Sequence, residues 1–277
     1  MQICFTPRSF SRIRFFGAVL LGLFGTLLTS GVLSAADTAA APTPLFNGQN
    51  LEGWQVYLQN HTPGTAQDIF QVEDGAIHVY KNAADTTAQP FGYLFTTEEH
   101  ADYRLTLEYK WGTKKFAPRA EVDTVRDAGV CYHVQAPDEI WPTAAECQIQ
   151  EGDTGDVWLI HTRATSHIHR DDLNYCPDTK KGGIDVTRGD EPRGYQRFFR
   201  SYSYEQPGWN RIELVVRGDT ATYAINGHVS NRVTALKHWD AATKTWQPLT
   251  KGKILLQAEG AEIFYRNITL QPLTPSS

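Results

Sequence analysis

The chain has 277 residues, a formal charge of −5 at neutral pH and 12% aromatic residues. A mildly acidic surface repels phosphate groups, so the composition excludes an ordinary basic nucleic-acid-binding face. Three of the 4 cysteines lie beyond residue 100 and show no zinc-type spacing. These three allow at most one disulfide and leave one free thiol, so we do not expect a disulfide framework to hold the fold together.

The N-terminus has the order of a secretory signal peptide. Arg8, Arg12 and Arg14 precede the apolar run FFGAVLLGLFGTLL, and small residues follow it. Signal peptidase reads this order, and the run is shorter than the roughly 20 residues that a membrane-spanning helix needs. We predict a signal peptide over residues 1–35, with an uncleaved anchor as the alternative, and a Pro-containing linker over 36–44. The mature chain is expected to have no membrane span and to be periplasmic or secreted.

Turn residues and alternating hydrophobicity predict short strands along the rest of the chain. Asp74-Gly75 between residues 70–72 and 76–79 is a strong hairpin signal, and Asn226-Gly227 predicts a turn after residues 220–225. Residues 103–111 alternate apolar and polar side chains. Further strands are expected at 129–134, 144–150, 157–160, 211–216, 220–225, 253–257 and 262–270. Many short strands without an amphipathic helix favour an all-β fold, and we predict a jelly-roll β-sandwich.

Residues 161–195 show no periodicity and are rich in His, Asp, Arg, Gly and Pro. A loop of this length inside a compact domain is usually functional or disordered, so we expect a long functional loop here. His167 and His169 have the spacing of a metal pair, but the rest of a ligand set is not evident. His161 directly follows a predicted strand and is therefore the best placed of these histidines to be held in position.

The densest signal for chemistry is the segment WPTAAECQIQEGDTGDVWLI, which begins at residue 141. Side chains alternate along a strand, so Glu146, Gln148 and Gln150 share one face while Cys147 and Ile149 share the other. A carboxylate between amides suits a hydroxyl-rich ligand, because each amide offers both a donor and an acceptor. We expect these three polar residues to line a sugar-binding cleft. The alternative is a solvated outer face.

The turn after this strand has two aspartates, Asp153 and Asp156. Carboxylates in a tight turn suit calcium, which makes them weak candidates for a divalent-cation site. The alternative is a turn whose aspartates bond to its own backbone. We expect no other cofactor.

A second polar group lies between residues 110 and 133. Lys110 and Arg126 are cationic, and we expect His133 to share a strand face with Cys131 and Gly129. A histidine that faces a cleft can move a proton near neutral pH. The alternatives are a structural histidine and a solvated run of cations.

Two N-terminal motifs identify a family. LFNG at 45–48 and LxGW at 51–54 resemble the opening signature of the 3-keto-disaccharide hydrolases. The segments EYKWGTKKFAPR, RDAGVCYHV, WPTAAECQIQEGDTGD and LLQAEGAEIFYRNITL are similar to later blocks of that family. The resemblance covers a domain over residues 45–272 and implies a concanavalin-like jelly roll related to laminarinases.

The resemblance also implies an unusual reaction. The substrate is a glycoside oxidised to a ketone at C3, which acidifies the proton on C2. A base removes that proton, the C1 substituent leaves by β-elimination, and water then adds to the glycal. Such a substrate implies a functional link to a glycoside 3-dehydrogenase in the same compartment.

The resemblance implies roles for particular residues. Glu146 and His133 are the acid/base candidates, and Lys110 is a third catalytic candidate that, with Arg126, would stabilise the enolate. Gln148 would orient sugar hydroxyls. Further substrate-binding candidates are Trp111, Tyr132, Gln150 and His161.

Two other functions fit the same fold. A retaining glycoside hydrolase needs two facing carboxylates, and Glu146-x-Gln148-x-x-Glu151 is the nearest arrangement in this sequence. A non-catalytic carbohydrate-binding module would bind unoxidised glycans and form no product.

Overall fold

The computed structural model describes residues 40–59, 68–121, 123–136 and 138–274. These residues belong to one compact unit, Asp37–Ser277. The predicted signal peptide and residues 36–39 of the predicted linker lie outside the described residues. Within the described ranges, no helix has the length and apolar character to cross a membrane.

The described residues form short strands throughout. Their bounds are β1 Thr43–Pro44, β2 Trp54–Leu58, β3 Phe70–Glu73, β4 Ala76–Val79, β5 Gly92–Thr96, β6 Tyr103–Lys115, β7 Asp127–Val134, β8 Ala144–Gln150, β9 Val157–Ile160, β10 Thr162–Ile168, β11 Ile184–Arg188, β12 Tyr195–Phe198, β13 Asn210–Arg217, β14 Thr220–Ile225, β15 His228–Asp240, β16 Thr245–Pro248, β17 Lys253–Ala258 and β18 Ala261–Pro272. A 3₁₀ helix spans Thr179–Lys181. The first strand lies inside the predicted linker.

The strands form two antiparallel sheets. The larger has the order β11-β10-β15-β14-β13-β6-β18-β4-β3, with β1 beside β18 and β16 beside β15. The smaller has the order β12-β9-β8-β7-β17-β5-β2. The all-β jelly-roll prediction is therefore confirmed.

Alternation along the strands places the core between the sheets. In β6 of the larger sheet, Leu105 and Leu107 are fully buried, whereas Thr106 is half-buried on the opposite face. In β8 of the smaller sheet, Cys147 and Ile149 point into the same core. The intervening residues of β8 therefore lie on the outer face of the smaller sheet, where a polar side chain does not disturb the core.

Two-residue turns fix the register of two hairpins. Asp74-Gly75 joins β3 to β4 with φ values of 49° and 75°, and Asn226-Gly227 joins β14 to β15 with 50° and 83°. Positive φ at both central residues is the geometry that matches the twist of the flanking strands, and Asn-Gly and Asp-Gly adopt it most readily. Both predicted turns are confirmed.

The prediction of a long loop over residues 161–195 is wrong for residues 162–168 and 184–188, which form strands. Strands β10 and β11 pair along the edge of the larger sheet. Three of the four buried positions of β10 carry Thr162, Ala164 and Ser166, and only the last carries a large apolar residue, Ile168. Small and hydroxyl side chains give no hydrophobic alternation, so the strand has no clear signal in the sequence.

The histidines of this segment do not form the suggested metal pair. His167 Nδ1 lies 2.7 Å from Asp185 Oδ1, and its Nε2 lies 3.2 Å from the carbonyl oxygen of Gly182. Both ring nitrogens therefore have partners within the hairpin. Among the described residues there is no group of three His, Cys, Asp or Glu side chains placed to hold a metal ion.

The three cysteines of the described ranges are buried and free. Cys131 belongs to an apolar cluster on the outer face of the smaller sheet, whereas Cys147 belongs to the main core. Their opposite orientations, which the strand alternation predicts, prevent a bridge between them.

Substitution in the centre of β6 tests this packing. Leu107→Ala should lower the free energy of unfolding by about 2–5 kcal/mol, because it leaves a cavity between the sheets. Thr106→Ala on the opposite face is the control and should change it by less than about 1 kcal/mol. Urea denaturation measures both, and equal effects would contradict the assignment of the two faces.

Candidate active site

A cleft of about 430 Å³ lies on the outer face of the smaller sheet and follows β8. Its polar and charged lining residues are Arg119, Asp127, Glu146, Gln148, Gln150 and Glu259. Its other lining residues are Trp141, Trp158, Ile160 and Tyr195. We call the part of the cleft lined by Trp141, Trp158, Ile160 and Tyr195 the aromatic end. We call the part lined by Arg119, Asp127, Gln148, Gln150 and Glu259 the polar end.

Strand register orders the residues along the cleft. Gln150 pairs with Asp127 at one end of β8. Glu146, four residues before Gln150 in β8, pairs with Trp158 of β9. Further from Gln150 in the same direction, Ile160 of β9 pairs with Tyr195 of β12. Two residues of a strand span about 6.6 Å, so the polar and aromatic ends are separated along the strand axis. Glu146 lies at their junction.

Gly129 makes room for the carboxyl of Glu146. A Cβ atom at this position would lie 2.1 Å from Glu146 Oε1 and 2.1 Å from Gln257 Oε1. Both side chains therefore lie over the bare backbone of residue 129, which any larger residue would fill. The amide Nε2 of Gln257 donates to Cys131 Sγ at 3.7 Å, which turns its Oε1 toward Glu146.

One arginine, Arg119, forms ion pairs with both carboxyl groups of the polar end. Arg119 Nη2 lies 2.6 Å from Asp127 Oδ2 and 3.2 Å from Glu259 Oε2. Gln150 Nε2 also donates to Asp127 Oδ2, at 2.9 Å. With Glu146 nearby, three buried carboxyl groups share a single positive charge.

This imbalance separates the proton affinities of the three carboxyls. Burial raises the pKa of Asp127 to about 6, although Arg119 opposes the rise. Burial and the charge of Asp127 raise the pKa of Glu259 to about 8. Burial, Glu259 and Asp127 together raise the pKa of Glu146 well above its ordinary value. Asp127 therefore gives up its proton at lower pH than Glu259, and burial favours the protonated form of Glu146.

Several buried polar atoms in the cleft have no hydrogen-bond partner among the described residues. They are Arg119 Nε, Asp127 Oδ1, Gln148 Oε1, Trp158 Nε1 and Gln257 Oε1. Buried polar groups are rarely left unpaired in folded proteins. Four of the five belong to side chains that line the cleft, and the fifth adjoins Glu146. A ligand that presents several hydroxyl or carbonyl oxygens would pair them.

The structure brings together three of the predicted site residues. Glu146, Gln148 and Gln150 share the outer face of β8, as alternation predicts, and all three line the cleft.

Three other predicted residues lie in a second cleft, beside β6 of the larger sheet. Lys110, Trp111 and Arg126 line it together with Glu151. Arg126 Nη2 lies 2.6 Å from Glu151 Oε1, and Lys110 Nζ lies 4.6 Å from the ring centroid of Phe264. The expectation that Lys110 and Arg126 act beside Glu146 is therefore corrected. Lys110 lies on β6 of the opposite sheet, and the Arg126 side chain, just before β7, donates to Glu151 and to the carbonyl oxygen of Gly112 in β6.

The predicted orientation of His133 is also wrong. Its backbone has a φ of 53°, and the register between β7 and β17 shifts beside it. This irregularity turns the fully buried ring away from the face of Cys131, so that its Nε2 lies 2.9 Å from the carbonyl oxygen of Gly218. Tyr132 points into the core, where it accepts a hydrogen bond from Tyr223 at 3.0 Å. Neither residue lines the cleft.

His161 lies just behind the aromatic end. Its ring centroid is 4.9 Å from that of Tyr195, and neither ring nitrogen has a partner among the described residues. Burial and the nearby Arg193 lower the pKa of His161, so the ring is neutral near pH 7. It supports a cleft residue rather than lining the cleft.

The suggested calcium ligands are already paired with arginines. Asp153 accepts from Arg197 at 2.8 Å and from Arg200 at 2.9 Å. The buried Asp156 contacts the same two guanidinium groups. A cation at this turn would have to displace two arginines, so these residues do not fit a calcium site.

The sequence pattern did not predict four of the residues at the cleft as functional candidates. Asp127 has the same strand parity as Gly129 and could have been assigned to the outer face. Glu259 lies in the turn between β17 and β18, where strand alternation does not predict that its side chain lines the cleft. Arg119 and Gln257 come from segments distant from β8 along the chain, and only the tertiary fold brings them there.

The profile of the 3-keto-alpha-glucoside-1,2-lyase-like domain matches residues 41–271 of this sequence. The chain belongs to this family. The resemblance seen in the sequence motifs is thus confirmed, and family membership supports a carbohydrate-active enzyme. A comparison with curated proteins finds no significant match.

Two solved structures with a TM-score of 0.50 show the same fold. A Parabacteroides distasonis protein provisionally described as a glycosyl hydrolase is 18% identical, with a TM-score of 0.50 over 84% of this chain and 94% of that chain. A second structure of a provisionally described glycosyl hydrolase from that organism is 16% identical, with a TM-score of 0.50 over 84% and 100%. A Bacillus licheniformis beta-glucanase is 10% identical, with a TM-score of 0.43 over 85% and 99%.

The buried carboxyls of this family member should make its stability depend on pH. Because the pKa of Glu259 is raised to about 8, the folded state holds a proton that the unfolded state releases above its ordinary pKa. The free energy of unfolding should therefore fall as pH rises from about 5 to 8, by up to about 1.4 kcal/mol per pH unit for one proton. Glu259→Gln should flatten this slope in urea denaturation. The exposed Glu52→Gln is the control, and identical slopes in all three proteins would contradict the assignment.

Proposed function

We propose that the cleft cleaves 3-keto-glycosides by elimination and hydration. The observation that carries the proposal is the set of three buried carboxyls around one guanidinium, since it supplies a base, an acid and a positive charge within one pocket. Elimination next to a ketone requires all three. Family membership supports this reaction class.

Asp127 is the proposed base. It is the carboxyl that ionises first, and its Oδ1 is free of hydrogen bonds within the described residues. The carboxylate takes the proton from C2, and the electrons of the broken C–H bond form an enolate on the C3 oxygen. Arg119 lies beside it with an unpaired Nε, which would donate to that oxygen and stabilise its charge.

Glu146 is the proposed acid. Burial and the neighbouring Glu259 and Asp127 raise its pKa and favour its protonated form, and it lies beside Gln257 Oε1, which can accept the carboxyl proton in the resting enzyme. As the enolate collapses, the bond from C1 to the glycosidic oxygen breaks and Glu146 donates its proton to that oxygen. The products of this step are an alcohol and a glycal with a double bond between C1 and C2.

Hydration reverses both proton transfers. A water molecule adds its oxygen to C1 while the Glu146 carboxylate takes the water's proton. Asp127 returns its proton to C2, which gives the free 3-keto sugar and restores both groups. No electrons leave or enter the substrate in either step, so the chain needs no redox cofactor for this reaction.

These roles replace those suggested from sequence for Lys110, Arg126 and His133. Asp127 takes the place of His133, and Arg119 takes the place of the two cations that lie beside β6. The oxygen of Gln148, which is buried and unpaired among the described residues, supports its role in binding a sugar hydroxyl.

The proposed substrate places the enzyme within a reaction sequence. A glycoside 3-dehydrogenase must oxidise the glycoside first, and both enzymes would work in the periplasm or outside the cell if residues 1–35 act as a signal peptide. The arrangement argues against the retaining hydrolase that would use Glu146 and Glu151. Glu151 lines the second cleft and is paired with Arg126 there.

Glu146→Gln tests the central role. The enzyme should convert a 3-keto-glucoside to 3-keto-glucose and leave the parent glucoside intact, and the variant should lose about 100-fold or more in kcat/KM. Glu151→Gln removes a carboxyl from the other cleft and should retain activity. Product formation followed by NMR measures both.

The same assay distinguishes elimination from ordinary hydrolysis. A substrate with deuterium at C2 should turn over more slowly, because that bond breaks during elimination. Cleavage of the parent glucoside with no effect of C2 deuterium would overturn the proposal.

The pH profile tests the assignment of base and acid. The value of kcat/KM should rise as pH passes about 6, where Asp127 ionises, and should fall at alkaline pH as the protonated carboxyls ionise. Arg119→Gln should move the acidic limb to higher pH, because the guanidinium lowers the pKa of Asp127. An unchanged acidic limb in that variant would exclude Asp127 as the titrating base.

A further inference from the structure

We infer that the aromatic end of the cleft binds the leaving group and selects glycosides whose leaving group carries a flat aryl ring. This inference rests on the proposed function, since it assigns the departing half of the substrate to one end of the same cleft.

Glu146 defines where the leaving group departs. Its backbone pairs with that of Trp158 across β8 and β9, so the carboxyl lies beside the indole ring. An acid that protonates the glycosidic oxygen must contact that oxygen, and the leaving group extends from it. The neighbouring Trp158 then becomes the first surface that the leaving group meets.

The oxidised sugar ring fits the polar end. Unpaired oxygens of Asp127 and Gln148 and the unpaired Nε of Arg119 all belong to lining residues of the polar end. A 3-keto-glucosyl ring presents several hydroxyls and a carbonyl oxygen that would pair these atoms. The two halves of the substrate would therefore lie on opposite sides of the proposed acid.

The aromatic end offers little to a second sugar ring. Trp158 Nε1 is the one buried polar side-chain atom among its described lining residues that lacks a partner, and it can only donate. Glu139 and Arg193, whose charges act on Tyr195, are paired with each other at 2.9 Å in two parallel hydrogen bonds. The Tyr195 hydroxyl is the one acceptor that the described side chains lining this end offer to the several hydroxyl donors of a sugar, whereas an aryl ring has no such donors to satisfy.

Each ring of this end contacts a neighbouring side chain. Trp158 has the guanidinium of Arg197 5.5 Å from its ring, Trp141 lies 6.3 Å from Phe91, and Tyr195 lies 4.9 Å from His161. Rings held in this way keep their faces in place before a ligand arrives, which lowers the entropic cost of stacking. Tyr195 is still 48% exposed, so this end is open and can take leaving groups of different lengths.

Two substrates with leaving alcohols of similar acidity test the inference. Benzyl and cyclohexylmethyl 3-keto-glucosides differ in the flatness of the ring, and a 3-keto-disaccharide has a sugar as leaving group. The wild-type enzyme should prefer the benzyl substrate in kcat/KM. Tyr195→Ala and Trp158→Leu should each reduce that preference about three- to tenfold. Tyr202→Ala removes another exposed tyrosine and is the control, with an unchanged preference expected.

The outcomes separate this inference from the proposed function. Equal loss for all three substrates in the Tyr195 and Trp158 variants, or a wild-type preference for the disaccharide, would overturn it. Calorimetric binding of the unoxidised benzyl glucoside gives an independent readout, because this ligand needs no chemistry. Weaker binding in the Tyr195→Ala variant, in a protein that cleaves no 3-keto-glycoside, would keep the aryl site and reject the proposed reaction.

Discussion

The pairing of Arg119 with two buried carboxylates is the interaction on which the candidate site depends. Its guanidinium contacts both Asp127 and Glu259, while Glu146 lies close enough for their charges to raise its pKa. One positive charge cannot neutralise three carboxylates in a desolvated cleft, so some of them must keep their protons. The chemistry of the cleft follows from this imbalance, because one pocket then holds both an ionised and a protonated carboxyl.

The sandwich makes this arrangement possible by separating core from cleft within single strands. In β8, Cys147 and Ile149 contribute to the core while Glu146 and Gln148 face outward, so the functional residues do not disturb the packing between the sheets. Gly129 of the neighbouring strand β7 also helps to position the Glu146 carboxyl. Its missing side chain leaves the space that the Glu146 carboxyl occupies. A regular pleat and one small residue thus position the acid without a dedicated loop.

The sequence predicts the local pattern well and the long-range contacts poorly. Alternation correctly placed Glu146 and Gln148 together, and Asp-Gly and Asn-Gly correctly located two hairpins. The side chain of His133 was predicted on the wrong face because a positive φ breaks the alternation in β7. No residue pattern in the sequence predicts that irregularity. Lys110 was misplaced because neighbouring blocks of sequence belong to opposite sheets. Arg119, which pairs with the carboxylates of the cleft, precedes β7 in a segment that has no periodic pattern to reveal its position.

The burial of Glu146 and Glu259 is better explained by function than by stability. Replacing a partly compensated buried charge by a neutral group of similar size is often neutral or stabilising, so folding alone gives no reason to keep them. A carboxyl whose pKa lies above neutrality is useful when a reaction requires a proton donor at pH 7. The same apolar surroundings that raise these pKa values also line the aromatic end, since Tyr93, Cys131 and Leu255 belong to one outer-face cluster with Trp141, Trp158 and Ile160. The apolar cluster that favours the protonated form of the proposed acid thus also includes the side chains that would contact the leaving group.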